Sequence, residues 1–149
     1  HEQVQVPVVV IVCPISRPIP CAGQDHSAVG QDALVVLQQQ ALVSRSGVEE
    51  GLCCIYTPHT TAAITINENA DPAVPVDILN TINKIVPWDD RYRHLEGNSA
   101  AHIKVSLFGP SEMVALENGS LVLGTWQSVF FVEFDGPRNR RVLFKFISD

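Results

Sequence analysis

Three of the five histidines, His59, His94 and His102, lie next to polar or turn-forming residues. A single histidine is most often a hydrogen-bonded structural residue, but three that converge can hold a zinc-class ion or share acid/base work, one ring nitrogen serving while an acceptor fixes the other. Gly97, within Glu96-Gly97-Asn98, lets the chain double back and bring His94 and His102 together. Glu96 is then a fourth ligand, a general base or a solvated charge. A second polar group, Asn67-Glu68-Asn69-Ala70-Asp71, places two amides and two carboxylates between an apolar strand and a helix start. Asp71 alone reads as a helix cap. The whole cluster has the makings of a site that ligates a metal or orients a substrate. A third group, Asp135-Gly136-Pro137-Arg138-Asn139-Arg140-Arg141, puts three arginines into a turn of an otherwise acidic chain. Arg140 and Arg141 fit a solvated hairpin tip, whereas Arg138 is the candidate clamp for a phosphate or carboxylate, which guanidinium grips through paired hydrogen bonds.

The elements that must carry these groups follow from hydrophobic spacing. Val8 to Cys13 is an apolar run between Pro7 and Pro14, too short for the about 20 residues of a membrane span and therefore a strand. No basic segment precedes it, so it does not read as an intact signal peptide. Cys13 to Gly30 is a Pro-, Gly- and Ser-rich connection. Asp32 to Ser46 reads as the first helix, with Leu34, Val35, Leu37, Ala41 and Leu42 on one face and Gly47 ending it. Leu52 to Thr57 and Ala62 to Ile66 read as strands. Asp71-Pro72 opens a second helix whose face is Ile78, Leu79, Ile82, Ile85 and Val86, closed by Pro87. From Ala101 onward the chain reads as strand, near 103–108, 113–116, 121–123, 127–134 and 141–147, with His102 at a strand start and with turns at Asn118-Gly119 and Asp135-Gly136. Asn118-Gly119-Ser120 matches a glycosylation acceptor but reads as a hairpin turn, and Trp126 reads as core. The expectation is a single α+β domain, two helices on a mixed, largely antiparallel sheet.

Composition narrows the partners. Ten Lys plus Arg against 16 Asp plus Glu give a net charge of −6 with no basic run, which argues against binding nucleic acid through its phosphates. With 46% hydrophobic and 17% charged residues, the chain can fill a core and leaves a fairly apolar surface suited to self-association. The four cysteines match neither a paired C-x-x-C zinc pattern nor a disulfide framework, so a reducing cytoplasm is expected, with Cys53 and Cys54 acting as small hydrophobes.

Pro58-His59-Thr60-Thr61-Ala62-Ala63, Asn67-Glu68-Asn69-Ala70-Asp71-Pro72, His94-Leu95-Glu96-Gly97-Asn98 with Ala101-His102-Ile103-Lys104, and Leu123-Gly124-Thr125-Trp126-Gln127 together resemble the YjbQ-like family. The resemblance runs from about Gly47 to the C-terminus and leaves out the first thirty residues. It implies a compact α+β fold, a homotrimer and a polar cleft built from these motifs. It also implies a secondary thiamine-phosphate synthase, which joins hydroxymethylpyrimidine diphosphate to thiazole phosphate and releases diphosphate. On that reading His59, Glu68 and Asp71 are catalytic. Thr60, Asn67, Asn98, Gln127 and Arg138 bind substrate, and His59, His94 and His102 hold a divalent metal, Zn or Mg. Three imidazoles favour zinc, whereas diphosphate chemistry usually employs magnesium on oxygen ligands. The histidines therefore also suit a metal-dependent hydrolase of a small phosphorylated metabolite, and a noncatalytic trimer that binds a metal or metabolite is the remaining alternative.

Overall fold

The computed structural model describes residues 9–14 and 31–148. These residues form β1 (Val9–Pro14), β2 (Gln31–Val36), α1 (Gln40–Ser46), β3 (Gly51–Tyr56), β4 (Ala62–Glu68), α2 (Ala73–Ile85), α3 (Ser99–Phe108), β5 (Ser111–Glu117), β6 (Ser120–Leu121), β7 (Gln127–Gly136) and β8 (Asn139–Ser148). Strands β1-β8-β3-β5-β6 make one antiparallel sheet, and β2-β7-β4 make another. The α+β class is as expected, but with two sheets and three helices in place of one mixed sheet and two helices.

Strand β7 shows why there are three layers. Along it, Val129 and Phe131 enter a core shared with Ile55, Val142, Phe144 and Phe146 of the larger sheet. Their neighbours Phe130, Val132 and Phe134 point the other way, into a core with Leu79 and Ile82 of α2 and Ala100, Ala101 and Val105 of α3. Side chains alternate between the faces of a strand, so a strand buried on both faces reads as one continuous apolar run. Each of these phenylalanines removed from water contributes about 1.5–3 kcal/mol.

Two elements differ from the expected ones. Asp32 to Ser46 is not one helix: Gln31–Val36 pairs with β7, and only Gln40–Ser46 is helical, ended by Gly47 at φ 70°. Leu34 faces the helix-side core and Leu37 the inter-sheet core, a division that a single helical stripe cannot make. The stretch 103–108 is helix and not strand, so His102 sits in the first turn of α3. Ile103, Val105 and Leu107 alternate as a strand would, but Ile103 and Leu107 are exposed. The buried positions, Ala100, Ala101, Lys104 and Val105, keep helical spacing, which the lysine conceals. The Asn118-Gly119 turn is as expected, both residues adopting positive φ (51° and 67°) between β5 and β6.

Candidate functional site

Two chain segments cross from one sheet to the other at the same end of the molecule. Residues 57–61 carry the chain from β3 to β4, and residues 137–138 carry it from β7 to β8. The two crossings are tied together. Phe134 N–H donates to Thr61 O (3.1 Å), and Thr57 Oγ1 donates to Arg141 O (3.1 Å). Beneath them Arg140 forks onto Glu133, Nε to Oε2 at 2.7 Å and Nη2 to Oε1 at 2.6 Å, and Nη2 also reaches Thr61 Oγ1 at 2.8 Å. Glu133 is fully buried and Arg140 is nearly so. Arg140 is thus no solvated tip residue; it is the partner that makes a carboxylate tolerable inside a sandwich.

His59 stands on this corner. Its Nε2 accepts the Arg141 backbone N–H at 2.9 Å, so that nitrogen is unprotonated and the neutral ring carries its proton on Nδ1. Burial, followed by the nearby Arg140 and Arg141 charges, lowers its pKa from the ordinary imidazole value and outweighs Glu133, which acts in the opposite sense. His59 therefore offers an N–H donor at neutral pH and no free lone pair, a state unsuited to ligating a metal. Arg138, half-exposed, is held by its own turn: Nε donates to Asp135 O at 2.8 Å, and Nη2 meets Asp135 Oδ2 at 2.9 Å. The same Asp135 oxygen accepts Asn98 Nδ2 at 3.0 Å, which links the turn to the start of α3. Asn98 Oδ1 is buried without a partner.

Gly97, at φ 77°, turns the chain just ahead of α3, and its N–H donates to His94 O at 3.1 Å. The rings of His94 and His102 then meet edge to face, with centroids 5.3 Å apart. Glu96 lies 3.6 Å from His94 Nε2 with both side chains well exposed, a weak pairing. Behind α3, buried Lys104 reaches Asp32 Oδ2 at 2.6 Å, accepts no water-facing role, and also donates to Asn83 Oδ1 while lying over the Phe134 ring. Burial raises the Asp32 pKa, against the lowering effect of Lys104.

The expected set is only partly assembled within one chain. His59, Thr60, Asn98 and Arg138 belong to the corner just described, and His94 and His102 pair with each other. Glu68 and Asp71 lie at the opposite end of β4. That strand pairs Ala62 with Glu133 at one end and Glu68 with Gln127 at the other, a run of about 20 Å at the usual rise. The catalytic trio His59, Glu68 and Asp71 is therefore not brought together in a single chain. Nor is the three-histidine metal set, since among the described residues no three of His, Cys, Asp and Glu lie close enough to share an ion. At the far end the polar groups have local tasks. Asp71 Oδ1 accepts Ala73 N–H at 2.8 Å, Asn67 Oδ1 accepts Glu68 N–H at 2.8 Å, and Gln127 Oε1 accepts Gly124 N–H at 2.8 Å. Trp126, expected in the core, is 67% exposed. Cys53 is buried, and burial with its neighbour Cys54 pushes its thiol up to about 12, so it is no nucleophile.

An α+β sandwich with α2 and α3 on its smaller sheet, and with a histidine- and arginine-bearing corner where the chain changes sheets, is the class this molecule defines. A family model described as UPF0047 protein YjbQ-like matches residues 31–149. The chain belongs to that family. Among its relatives, a UPF0047 protein of Methanocaldococcus jannaschii is 53% identical over 72% of this chain and 78% of its own. The protein YugU of Bacillus subtilis is 49% identical over 74% of this chain and 85% of its own. A crystal structure of a YjbQ/UPF0047 family protein from Clostridium acetobutylicum superposes with a TM-score of 0.82 at 44% identity, covering 94% of this chain and all of that one.

Proposed function

We propose that the corner formed by His59, Arg138 and the start of α3 binds the phosphate groups of a small metabolite. On this proposal the chain works as a transferase of the thiamine-phosphate synthase type, joining hydroxymethylpyrimidine diphosphate to thiazole phosphate. The observation that carries the phosphate reading is the Arg141 N–H to His59 Nε2 bond, which leaves Nδ1–H as a donor close to the exposed Arg141, at the same corner as the turn that carries Arg138. In that reaction the bond from the pyrimidine methylene carbon to the diphosphate oxygen breaks, the electron pair leaves with diphosphate, and the thiazole nitrogen captures the carbon. Donors fixed before the bond breaks stabilise the leaving group without reorganising. A neutral imidazole and guanidinium groups supply such donors without giving up a proton. Asn98 and Asp135 hold Arg138 in place, which limits the orientational freedom lost on binding.

A second reading is hydrolysis of a phosphorylated metabolite, favoured by the His94–His102 contact, since one imidazole beside another is suited to taking a proton from water. No metal is placed on His59 in either case; a divalent Zn or Mg ion would need the His94–His102 pair or substrate oxygens. The homotrimer is taken as the working assembly, and the free thiols of Cys53 and Cys54 agree with a reducing cytoplasm. Among the described residues no helix is long and apolar enough to cross a membrane.

The test is calorimetric titration with inorganic diphosphate, followed by assay with the two thiamine precursors, with and without Mg²⁺. Arg138→Ala should weaken diphosphate binding about tenfold or more, the worth of one charge-assisted contact, and should lower turnover with it. Binding unchanged in that variant would refute the phosphate site. Precursor hydrolysis without joining would select the second reading, and binding without turnover would select a noncatalytic metabolite binder.

A further inference from the structure

Asn118 is the sole asparagine of the sequence that is followed by glycine. Such a pair is chemically unstable wherever its backbone is free, because the glycine nitrogen, with no Cβ beside it, reaches the asparagine side-chain carbon and closes a five-membered ring. Here the pair forms the exposed β5–β6 tip, at the end of β3 opposite the His59 crossing and about 17 Å of strand away from it. An Asn-Gly hairpin closes without outside support, since both residues take left-handed angles readily. This tip nevertheless receives three hydrogen bonds from the segment 40–50. Asn118 N–H donates to Glu50 Oε1 at 3.0 Å, Gly119 N–H donates to Glu49 O at 3.0 Å, and Gln40 Nε2 donates to Gly119 O at 3.2 Å. The Glu49 carboxylate also packs on Gly119, its Oε2 standing 3.2 Å from the place a Cβ would take. We propose that Asn118 is a self-modification site timed by this Glu49–Glu50 clasp, and that its conversion to an acid releases the β5–β6 tip.

The attacking nitrogen must first lose its proton, and that N–H is the one held by Glu49 O. Two carboxylates beside the tip also oppose the negative charge that develops on it. The clasped state is therefore slow, and reaction waits on local opening of the tip. Once it opens, base takes the Gly119 amide proton and the nitrogen attacks Asn118 Cγ. The N–Cγ bond forms, the Cγ–Nδ2 bond breaks, and Nδ2 leaves as ammonia with a proton from water. Water then adds to one of the two ring carbonyls, which gives aspartate or, by the other route, isoaspartate with the chain running through Cγ. Nothing is oxidised or reduced, and water is the sole co-reactant. The product carries a carboxylate at position 118, where the backbone approaches the Glu50 carboxylate, and the like charges repel. The isoaspartate route also lengthens the turn by one methylene. Conversion thus weakens the clasp that delayed it, and the device runs one way.

The test uses the whole chain, held in mildly alkaline buffer and digested with trypsin at intervals. The fragment from Val105 to Arg138 contains Asn118 as its sole asparagine, so mass spectrometry of that fragment reads amide loss at one position. Folded wild type should convert there before any other asparagine, and about tenfold or more slowly than the chain unfolded in urea. Glu50→Ala alters an exposed side chain and should keep the wild-type circular dichroism. It should convert about tenfold faster than folded wild type, the worth of one hydrogen bond to a charged acceptor. Asn118→Gly, which accepts the left-handed turn, should show no mass change. Release is read by hydrogen exchange at the Gly119 N–H, which should stay at the wild-type rate in Asn118→Gly and become about twofold faster in Asn118→Asp from like-charge repulsion. Folded wild type that never converts while the unfolded chain does, wild type as fast as the unfolded chain, or Glu50→Ala no faster than wild type overturns the clasped site. Equal exchange in Asn118→Asp and Asn118→Gly overturns the release.

Discussion

The two ends of the β4–β7 ladder are built on different physics. At the His59 end, charge is buried: Glu133 with Arg140 inside the sandwich, and Lys104 with Asp32 beneath α3. At the Trp126 end, polar groups are exposed and close turns or cap a helix through local hydrogen bonds. A buried ion pair is all or nothing, because removing one partner strands the other in a medium that cannot solvate it. A cap or turn bond is replaced in large part by water. Side chains that look chemically equipped in isolation can therefore be doing ordinary work, while those that hold a functional corner rigid are out of view inside it.

The largest effect should come from cutting the buried pair at the first end. Arg140→Met removes the fork on Glu133 and the bond to Thr61, leaving a fully buried carboxylate unpaired, and should cost about 3–5 kcal/mol in chemical denaturation. A loss below 1 kcal/mol would show that water reaches Glu133 and that the corner is not held by this pair.

Lys104→Met should cost nearly as much at pH 7, and its deficit should depend on pH. Asp32 has a raised pKa in the folded chain even with Lys104 present, and without the lysine it should rise further. A group whose folded pKa is raised contributes stability that is complete below its unfolded value, near 3.9, and is lost as pH rises through the folded value. The variant's deficit should thus shrink as pH falls from 7 to 5, Asp32 taking up a proton and going into the core neutral. A deficit that stays constant over that interval would mean that Asp32 remains ionised and finds another partner.

The same contrast explains what was legible in the sequence. The strand runs at 52–57, 62–66, 113–116, 127–134 and 141–147, the Asp71-Pro72 helix start and the Asn118-Gly119 turn are local signals, and they are found where spacing and turn chemistry put them. His94 and His102 meet because Gly97 permits a turn that the sequence also displays. What escapes is whatever depends on a partner far along the chain. Lys104 hides the helical stripe of α3 because its partner Asp32 is 72 residues away. Thr61 joins Arg140 across 79 residues. One signal was available: Glu133 interrupts the apolar run 129–134, and a lone carboxylate there requires a buried cation, which the arginines just past the turn can provide.

The smallest effect, at the second end, is also the most discriminating. Pro72 already has helical backbone angles (φ −65°, ψ −13°), and Val74 N–H donates to Asp71 O at 3.2 Å, so Asp71 acts as the cap with proline in the first helical position. Its Oδ1 takes the Ala73 N–H, one of the donors a helix start leaves unpaired. Asp71→Ala should cost about 1 kcal/mol, and Asp71→Asn, which keeps the acceptor and loses only the charge, should cost a few tenths. Because Asp71 caps its own helix start far from the His59 corner, diphosphate binding should be the same in Asp71→Asn as in wild type, and a loss of that binding would show that the charge acts beyond the cap. A single isosteric change thereby separates the hydrogen bond of the cap from its charge.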